Sequence, residues 1–459
     1  MKQIRAVAGR RLLAWALAAL AAMPALARAQ DLLTVWHAAL ERDRTLAVAR
    51  ADYAASQTRR EQAAALGRPT VSSVLGAGWG QSSTRMNGAQ FTAPGLGTSN
   101  GVDFATSVNS GLATRASIVA QYPLINLGRD ASQAQLELGA GMGSVAWRAA
   151  QTELALRISE RYFALAVAQE RLRVTESQVK ALEQAATEAH DRFELGESPI
   201  TEVHEADAAL ASVRAQLEAA RLQTELSAQT LAHNTGLDTP SARLPERSPA
   251  PGGSVQDWID AAQAGSPQVQ LAQQAVAMAG HELRRRRAAG TASLDLVAQA
   301  GQQRIDGHGS FGSSGNRSHD GSVSLQVNIP LYDGGMSGAQ ASEGARLLDK
   351  AQAQLDLARE QVAEQTRAAW LGWQAGQARV AALEQGFAAS AARLDATRLG
   401  REVGDRTLLD VLNAENDHAN ATLALAEARV EQVASRLRLA ALADRLDEAL
   451  LGEVNAGLK

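Results

Sequence analysis

The sequence predicts a membrane α+β protein, internally duplicated, in which each chain lends four strands to a shared β-barrel. Long helices are expected to continue that barrel as a coiled-coil tube. Three observations carry this expectation. A short amphipathic strand feeding an over-long, proline-free helix occurs twice. Small helix-forming residues dominate, while aromatics make up only 4% of the 459 residues. After the N-terminal leader, no stretch approaches about 20 consecutive apolar residues, the length of a spanning helix.

The second copy of the strand–helix phrase is the clearer one. Val323, Leu325, Val327, Ile329 and Leu331 fall on one face, and Ser322, Ser324, Gln326 and Asn328 on the other. That period of two marks a strand with one oily and one wet side. Pro330-Leu331-Tyr332-Asp333-Gly334-Gly335 then leads into the helix. The first copy runs from Ala116 through Tyr122-Pro123-Leu124-Ile125-Asn126-Leu127-Gly128. Proline lacks the N–H that continues a ladder, and glycine takes conformations closed to other residues. Pro123, Gly128, Pro330, Gly334 and Gly335 are therefore placed at strand–helix junctions.

Residues 1–29 read as an export signal. Lys2, Arg5, Arg10 and Arg11 precede the apolar run Leu12 to Leu20, and Ala27-Arg28-Ala29 forms a small-x-small cleavage site. Residues 30–235 form the first repeat. A helical pattern spans Asp31 to Leu66 and ends at Gly67-Arg68-Pro69. A strand from Val71 to Gln81 puts Leu75, Ala77 and Trp79 on one face. Residues 82–110, rich in Gly, Ser, Thr and Asn, are expected to be a loop, and a return strand follows from about Ala113 to Leu124. The helix after Gly128 should reach about Leu195, a rod on the order of 100 Å at 1.5 Å per residue. Its lower half repeats every seven residues, in Leu165, Ala168, Leu172, Thr175, Val179, Leu182, Ala186, Ala189 and Phe193, the seam of a left-handed coiled coil. Gly196 turns the chain, with Ser198 as the expected N-cap and Pro199 at the first helical position.

Residues 236–254, with Gly236, Pro240, Pro245, Pro249 and Pro251, form a linker or equatorial segment. Residues 255–446 then repeat the first unit. A helix spans Val255 to Ala289, a strand carries Leu294 and Leu296, and a second Gly/Ser/His loop is expected over Gly307 to Gly321. The second helical turn is at Gly404. The intervals agree: Pro330 follows Pro123 by 207 positions, and Gly404 follows Gly196 by 208. Residues 447–459 form a C-terminal tail with no clear period.

Composition narrows the function. Of 45 Lys and Arg, five lie in residues 1–29, which leaves 40 against 49 acids and disfavours nucleic-acid binding. The absence of cysteine excludes a disulfide scaffold, thiol chemistry and a lipidated N-terminal cysteine. Gly76-Ala77-Gly78-Trp79-Gly80 lies inside an alternating strand, so it is no nucleotide loop. His204-Glu205 lacks the second histidine of a zinc-protease helix. His308 and His319, near Asp306 and Asp320, read as a solvated loop. The run Arg284 to Arg287 cannot share one helical face and reads as a solvated ring, with anionic headgroups as the alternative partner. No nucleophile–base pair emerges. No catalytic, cofactor or metal site is assigned, and the chain is read as non-enzymatic.

Four strands cannot close a barrel, and open edges are not tolerated in lipid, so copies of the chain must share one. At this point the sequence resembles the TolC family of outer-membrane factors over essentially its whole mature length. The two strand–Pro-Leu–Gly phrases carry the resemblance, together with the turns Phe193-Glu194-Leu195-Gly196 through Thr201-Glu202-Val203 and Val403 through Leu412. It implies a homotrimer with a 12-stranded barrel in the Gram-negative outer membrane and an α-helical barrel across the periplasm. It further implies an exit duct for type I protein secretion or small-molecule efflux, docked by a periplasmic adaptor to an inner-membrane ABC transporter or drug pump. By motif, Arg406 matches a gate arginine, Thr201 and Glu202 its partners, and Asp410 a constriction aspartate. Arg401 and Asn413 depart from the family's tyrosine and second aspartate. The rival reading is a coiled-coil envelope protein without a pore; the amphipathic strands argue against it. Thr407 and Asp410 also have capping-box spacing, a purely local role.

Overall fold

The computed structural model describes residues 31–459 except Phe311; the expected export signal lies outside the described residues. The elements run α1 (Leu32–Arg42), α2 (Arg44–Leu66), β1 (Thr70–Ala93), β2 (Gly97–Ile125), α3 (Leu127–Glu194) and α4 (Ile200–Thr235). They continue with α5 (Val255–Gly265), α6 (Pro267–Ala288), β3 (Ser293–Gly309), β4 (Gly312–Asn328), α7 (Met336–Glu402), α8 (Leu408–Leu442) and α9 (Glu448–Ala456). Helix, helix, strand, strand, long helix, returning helix is thus traversed twice, with α9 added at the end.

The chain divides into two compact units. Among the described residues the first comprises Asp31–Ala54, Ser144–Ala272 and Leu355–Lys459. Its largest core packs Leu154, Ile158, Tyr162, Phe163 and Leu165 of α3 against Leu32 and Val35 of α1, Leu231 of α4, Val433 and Leu437 of α8, and Leu451 and Val454 of α9. Burial pushes the Tyr162 hydroxyl up to about 12, although it accepts a hydrogen bond from the Arg243 N–H. The heptad seam is buried from Leu165 to Ala189, apart from the half-buried Leu172. It runs out at Phe193, which is exposed at the end of α3. Along this seam small residues let the helices approach closely, which accounts for the scarcity of aromatics.

The second unit comprises Ala55–Gly143 and Gln273–Gln354. Its four strands form one antiparallel sheet in the order β1-β2-β3-β4. The register aligns Val71, Ala120, Ala298 and Val323 in one row, and Trp79 with Leu112 in another; these side chains share one face. Gly76, Arg115, Gln303 and Ser318 form a row on the opposite face.

Several local expectations are corrected. Residues 82–93, 97–110, 307–309 and 312–321 are strand rather than loop, since β1 and β2 pair as far as Ala93↔Gly97 and β3 and β4 as far as Gly309↔Gly312. Ladder hydrogen bonds need only backbone, so Ser, Thr and Gly serve where no core is covered. The helix expected over residues 31–66 breaks at Asp43, and that over 255–289 at Ser266. A one-residue break hardly disturbs a 3.6-residue pattern and so is invisible to it. The N-cap of α4 is Pro199, with no side-chain cap, and the Ser198 hydroxyl sits one residue too early to serve. The tail, which shows no period, forms α9 with Asp447 as its N-cap and buries Leu450, Leu451 and Val454.

Candidate functional site

The sheet has one largely apolar face near the helices. Val71, Leu75, Trp79, Leu112, Ile118, Val323, Leu325 and Val327 lie on a single face and are all exposed, Trp79 at 81% of its surface. So large an apolar patch on an exposed face marks a membrane or partner contact. The other face mixes small and polar residues, among them Ser72, Gly76, Gly78, Ser117, Gln299 and Ser322, with Val74, Val119, Val297 and Ile305. Away from the helices the first face also carries Gln302, Arg304, Asp306, Arg317 and His319. β1 and β4 each leave one ladder edge unpaired within the chain. Among the described residues no helix is long and apolar enough to cross a membrane.

The junction residues divide into two kinds. At the first junction Pro123 still lies inside β2, opposite Asp295, and the ladder becomes irregular between Pro123 and Ile125. Gly128 is already in α3, and Asn126 supplies the cap by accepting the Arg129 N–H at 2.9 Å. At the second junction β4 ends before Pro330. Gly334 and Gly335 take φ of 68° and 88°, and the Asp333 carboxylate accepts the N–H groups of Gly335 and Ser337 at 3.0 and 2.7 Å. Left-handed glycine is thus used at one junction and absent from the other.

Near this second unit's helices the arginine run is organised rather than merely solvated. Glu282 accepts from Arg285 and Arg286, each at 2.7 Å, and from Gln135 at 3.1 Å. The Arg285 hydrogen bond leads in holding its carboxyl down at about 2, against the opposing effect of burial, with Arg286 and Gln135 adding to it. Arg286 also reaches Glu343 at 2.5 Å.

The residues matched by motif to a gate lie at the helical turns of the first unit. Gly196 and Gly404 take φ of 74° and 82°, which lets each long helix reverse into its returning partner. The starts of α4 and α8 share a core of Val203, Ala206, Leu408 and Leu412 with Leu182, Ala186 and Ala189 of α3. Thr201 and Glu202 therefore begin one helix and Asp410 the helix beside it. Thr407 and Asp410 form a reciprocal capping box: the Thr407 N–H donates to Asp410 at 3.0 Å, and the Asp410 N–H donates to the Thr407 hydroxyl at 3.2 Å. The Thr407 N–H and hydroxyl, helped by the Arg406 charge, hold the Asp410 carboxyl below its ordinary value.

Within one chain neither Arg406 nor Glu202 enters an ion pair among the described residues. The link that does form uses Arg401, which the sequence resemblance marked as a departure. Its guanidinium donates to Glu188 at 2.9 Å, tying the end of α7 to the end of α3, and its side chain is 12% exposed. Arg398–Glu415 at 2.9 Å and Arg393–Asp417 at 2.7 Å tie α7 to α8, and Arg214–Glu183 at 2.8 Å ties α4 to α3. Asn413 is exposed in α8. Sequence reasoning missed Glu188. A surface acid in a helix of many acids carries no mark until its partner is known.

Among the described residues no cluster of three His, Cys, Asp or Glu is placed to hold a metal ion. The chain thus combines long antiparallel helices with a four-stranded sheet that has one largely apolar, exposed face and two edges unpaired within the chain.

Comparison with known proteins makes the assignment particular. The family described as outer membrane efflux protein matches residues 35–237 and 258–444, and the chain belongs to it. Outer membrane efflux protein BepC of Brucella suis is 30% identical over an alignment covering 60% of each chain. TolC of Escherichia coli is 26% identical over 78% of this chain and 75% of the relative. Proteases secretion protein PrtF of Dickeya chrysanthemi is 25% identical over 92% and 90%. Among solved structures, the outer membrane protein VceC of Vibrio cholerae superposes with a TM-score of 0.70 at 20% identity, covering 92% of this chain and 98% of that one. That last likeness is one of fold.

Proposed function

We propose that three copies of this chain close a 12-stranded barrel in the outer membrane, with their long helices walling the duct on the periplasmic side. The observation that carries this is the sheet itself, whose apolar face and unpaired edges have no stable state in lipid except in a closed barrel. The duct conducts passively, taking cargo from an inner-membrane ABC transporter or pump through a periplasmic adaptor. Relatives named for efflux and for protease secretion support both kinds of cargo. Heat-modifiable trimers extracted only with detergent, and discrete conductance in planar bilayers, are expected. A detergent-free soluble rod without conductance would overturn the reading. A deletion strain separates the cargoes, since secretion loss reports protein export and drug hypersensitivity reports efflux.

The helical turns form the gate of this duct. Arg401–Glu188 holds the two hairpins of one chain together, while Thr201, Glu202, Arg406 and Asp410 stand exposed or half-exposed at the helix starts, where a neighbouring copy can meet them. Arg401→Gln is expected to raise single-channel conductance by loosening the hairpins. Glu202→Ala and Arg406→Ala act through contacts between copies. Conductance unchanged in all three variants would place the gate elsewhere.

A further inference from the structure

The β1–β2 hairpin continues well past the rest of the sheet. β3 pairs with β2 only as far as Ser110↔His308, where the β3–β4 turn begins. Residues 82–93 and 97–108 pair with each other and, among the described residues, with no third strand. At about 3.3 Å per residue this arm is roughly 40 Å long. A two-stranded hairpin alone in water is marginal at best, so an arm of this length calls for a covering surface.

The register shows which side needs cover. Gly80↔Gly111 is followed by Ser82↔Val108, Met86↔Phe104 by Ala89↔Val102, and Ala89↔Val102 by Phe91↔Ser99. Each step inserts one extra residue, first in β2, then in β1, then in β2 again. Each insertion flips the alternation of its own strand while the paired residues keep their common side. Counting by twos from Trp79 would put Phe91 on the lipid face, and counting from Leu112 would put Phe104 there. The irregularities instead place Met86, Ala89, Phe91, Val102 and Phe104 on the side of Gly76, Gly78 and Gly80. The Phe91 and Phe104 rings lie 6.1 Å apart, which agrees with a shared side. Met86, Phe91 and Phe104 remain exposed in the single chain, while Ser83 and Arg85 occupy the opposite side.

In a barrel whose Trp79 face meets lipid, this apolar stripe starts out on the side of the axis, where lipid cannot reach it. A 12-stranded barrel with about 4.8 Å between strands and about 40° of tilt has a radius on the order of 12 Å. The arm is roughly three times that length, so the arms of neighbouring copies can meet over the mouth. We propose that the three β1–β2 arms fold together across the outer opening, stripe against stripe, forming an apolar exit constriction distinct from the gate at the helical turns. This rests on the trimeric-barrel reading. Such a constriction sheds water and ions and parts for cargo.

The absence of cysteine permits a direct test in the full-length protein. Phe91→Cys, oxidised on intact cells, is expected to give a disulfide-linked dimer on denaturing gels, and Ser83→Cys is not. Phe91→Ser with Phe104→Ser is expected to raise bilayer conductance at least about twofold by wetting the constriction. If Phe91→Cys stays monomeric on denaturing gels while the native mass is that of a trimer, the exit constriction is overturned and the barrel stands. A native mass other than a trimer overturns the barrel reading first. Cross-linking of Ser83→Cys as readily as Phe91→Cys, or of Phe91→Cys to a different protein, also overturns the proposal.

Discussion

The break between α1 and α2 falls at Asp43, and the corresponding break between α5 and α6 falls at Ser266. Asp43 is a charged hub whose side chain is wholly buried. It accepts from the Leu46 N–H at 2.9 Å, from Asn234 at 2.9 Å and from Arg157 at 3.0 Å, and it also bonds the Thr45 hydroxyl. Burial alone would raise its pKa, but the bonds from Thr45, Asn234 and Leu46 and the Arg157 charge outweigh it, leaving the carboxyl far below the ordinary range. Ser266 simply ends one helix, its N–H donating to Ala262 at 2.9 Å, before Pro267 starts the next. The same contrast recurs at the turns, where Thr407 and Asp410 cap α8 and no side chain caps α4, and at the junctions, where Asn126 serves in one half and Asp333 with Gly334 and Gly335 in the other. What the two halves share is apolar spacing and element order. The joints diverge because any group that satisfies the same exposed N–H will do.

The largest expected difference between the halves lies at the two breaks. Asp43→Ala is expected to cost about 3–5 kcal/mol by stranding Arg157 and Asn234, and Ser266→Ala under about 1 kcal/mol; urea unfolding of the detergent-extracted protein measures both. Because the folded pKa of Asp43 is depressed, its contribution is fully present above the unfolded value near 4 and falls away only in stronger acid. The Asp43→Ala deficit should therefore be constant at neutral pH and narrow below about pH 4. Equal costs for the two variants would erase the contrast.

Next come the turn glycines, which the halves share. Gly196→Ala and Gly404→Ala should each cost about 1–2 kcal/mol, since both positions are left-handed. A smaller effect separates the turns again. Thr407→Ala is expected to cost about 1 kcal/mol, whereas Pro199→Ser should gain a few tenths by supplying the missing cap. Loss of stability in Pro199→Ser would show that proline's fixed φ matters more there than a hydroxyl. The Thr407 advantage should also fade as Asp410 is protonated in acid, because its lowered carboxyl pKa makes the cap strongest above the ordinary carboxylate range.

Much of this architecture is legible in single residues. Val323 to Val327 announce a strand with one apolar face, Leu165 to Ala189 a helical seam, and Gly196 and Gly404 the turns. The strand's alternation runs on to Leu331, past the end of β4. The strand lengths are not legible, because Ser, Thr, Gly and Asn over 82–110 look alike in a loop and in a ladder that covers no core. At the helical turns, the capping box at Thr407 could be read locally. The Arg401–Glu188 link could not, since 213 positions separate its ends and nothing in either neighbourhood selects the other.

The sequence by itself determined the duplication, the order of elements, the two faces of each strand near the helices, and the lack of cysteine. All of these depend on periodicity and composition within a few turns of chain. Tertiary structure alone decided the far end of the β1–β2 arm and the contacts at the turns. Three single-residue register shifts there set the side on which Phe91 and Phe104 lie, and a register exists only between strands, never within one.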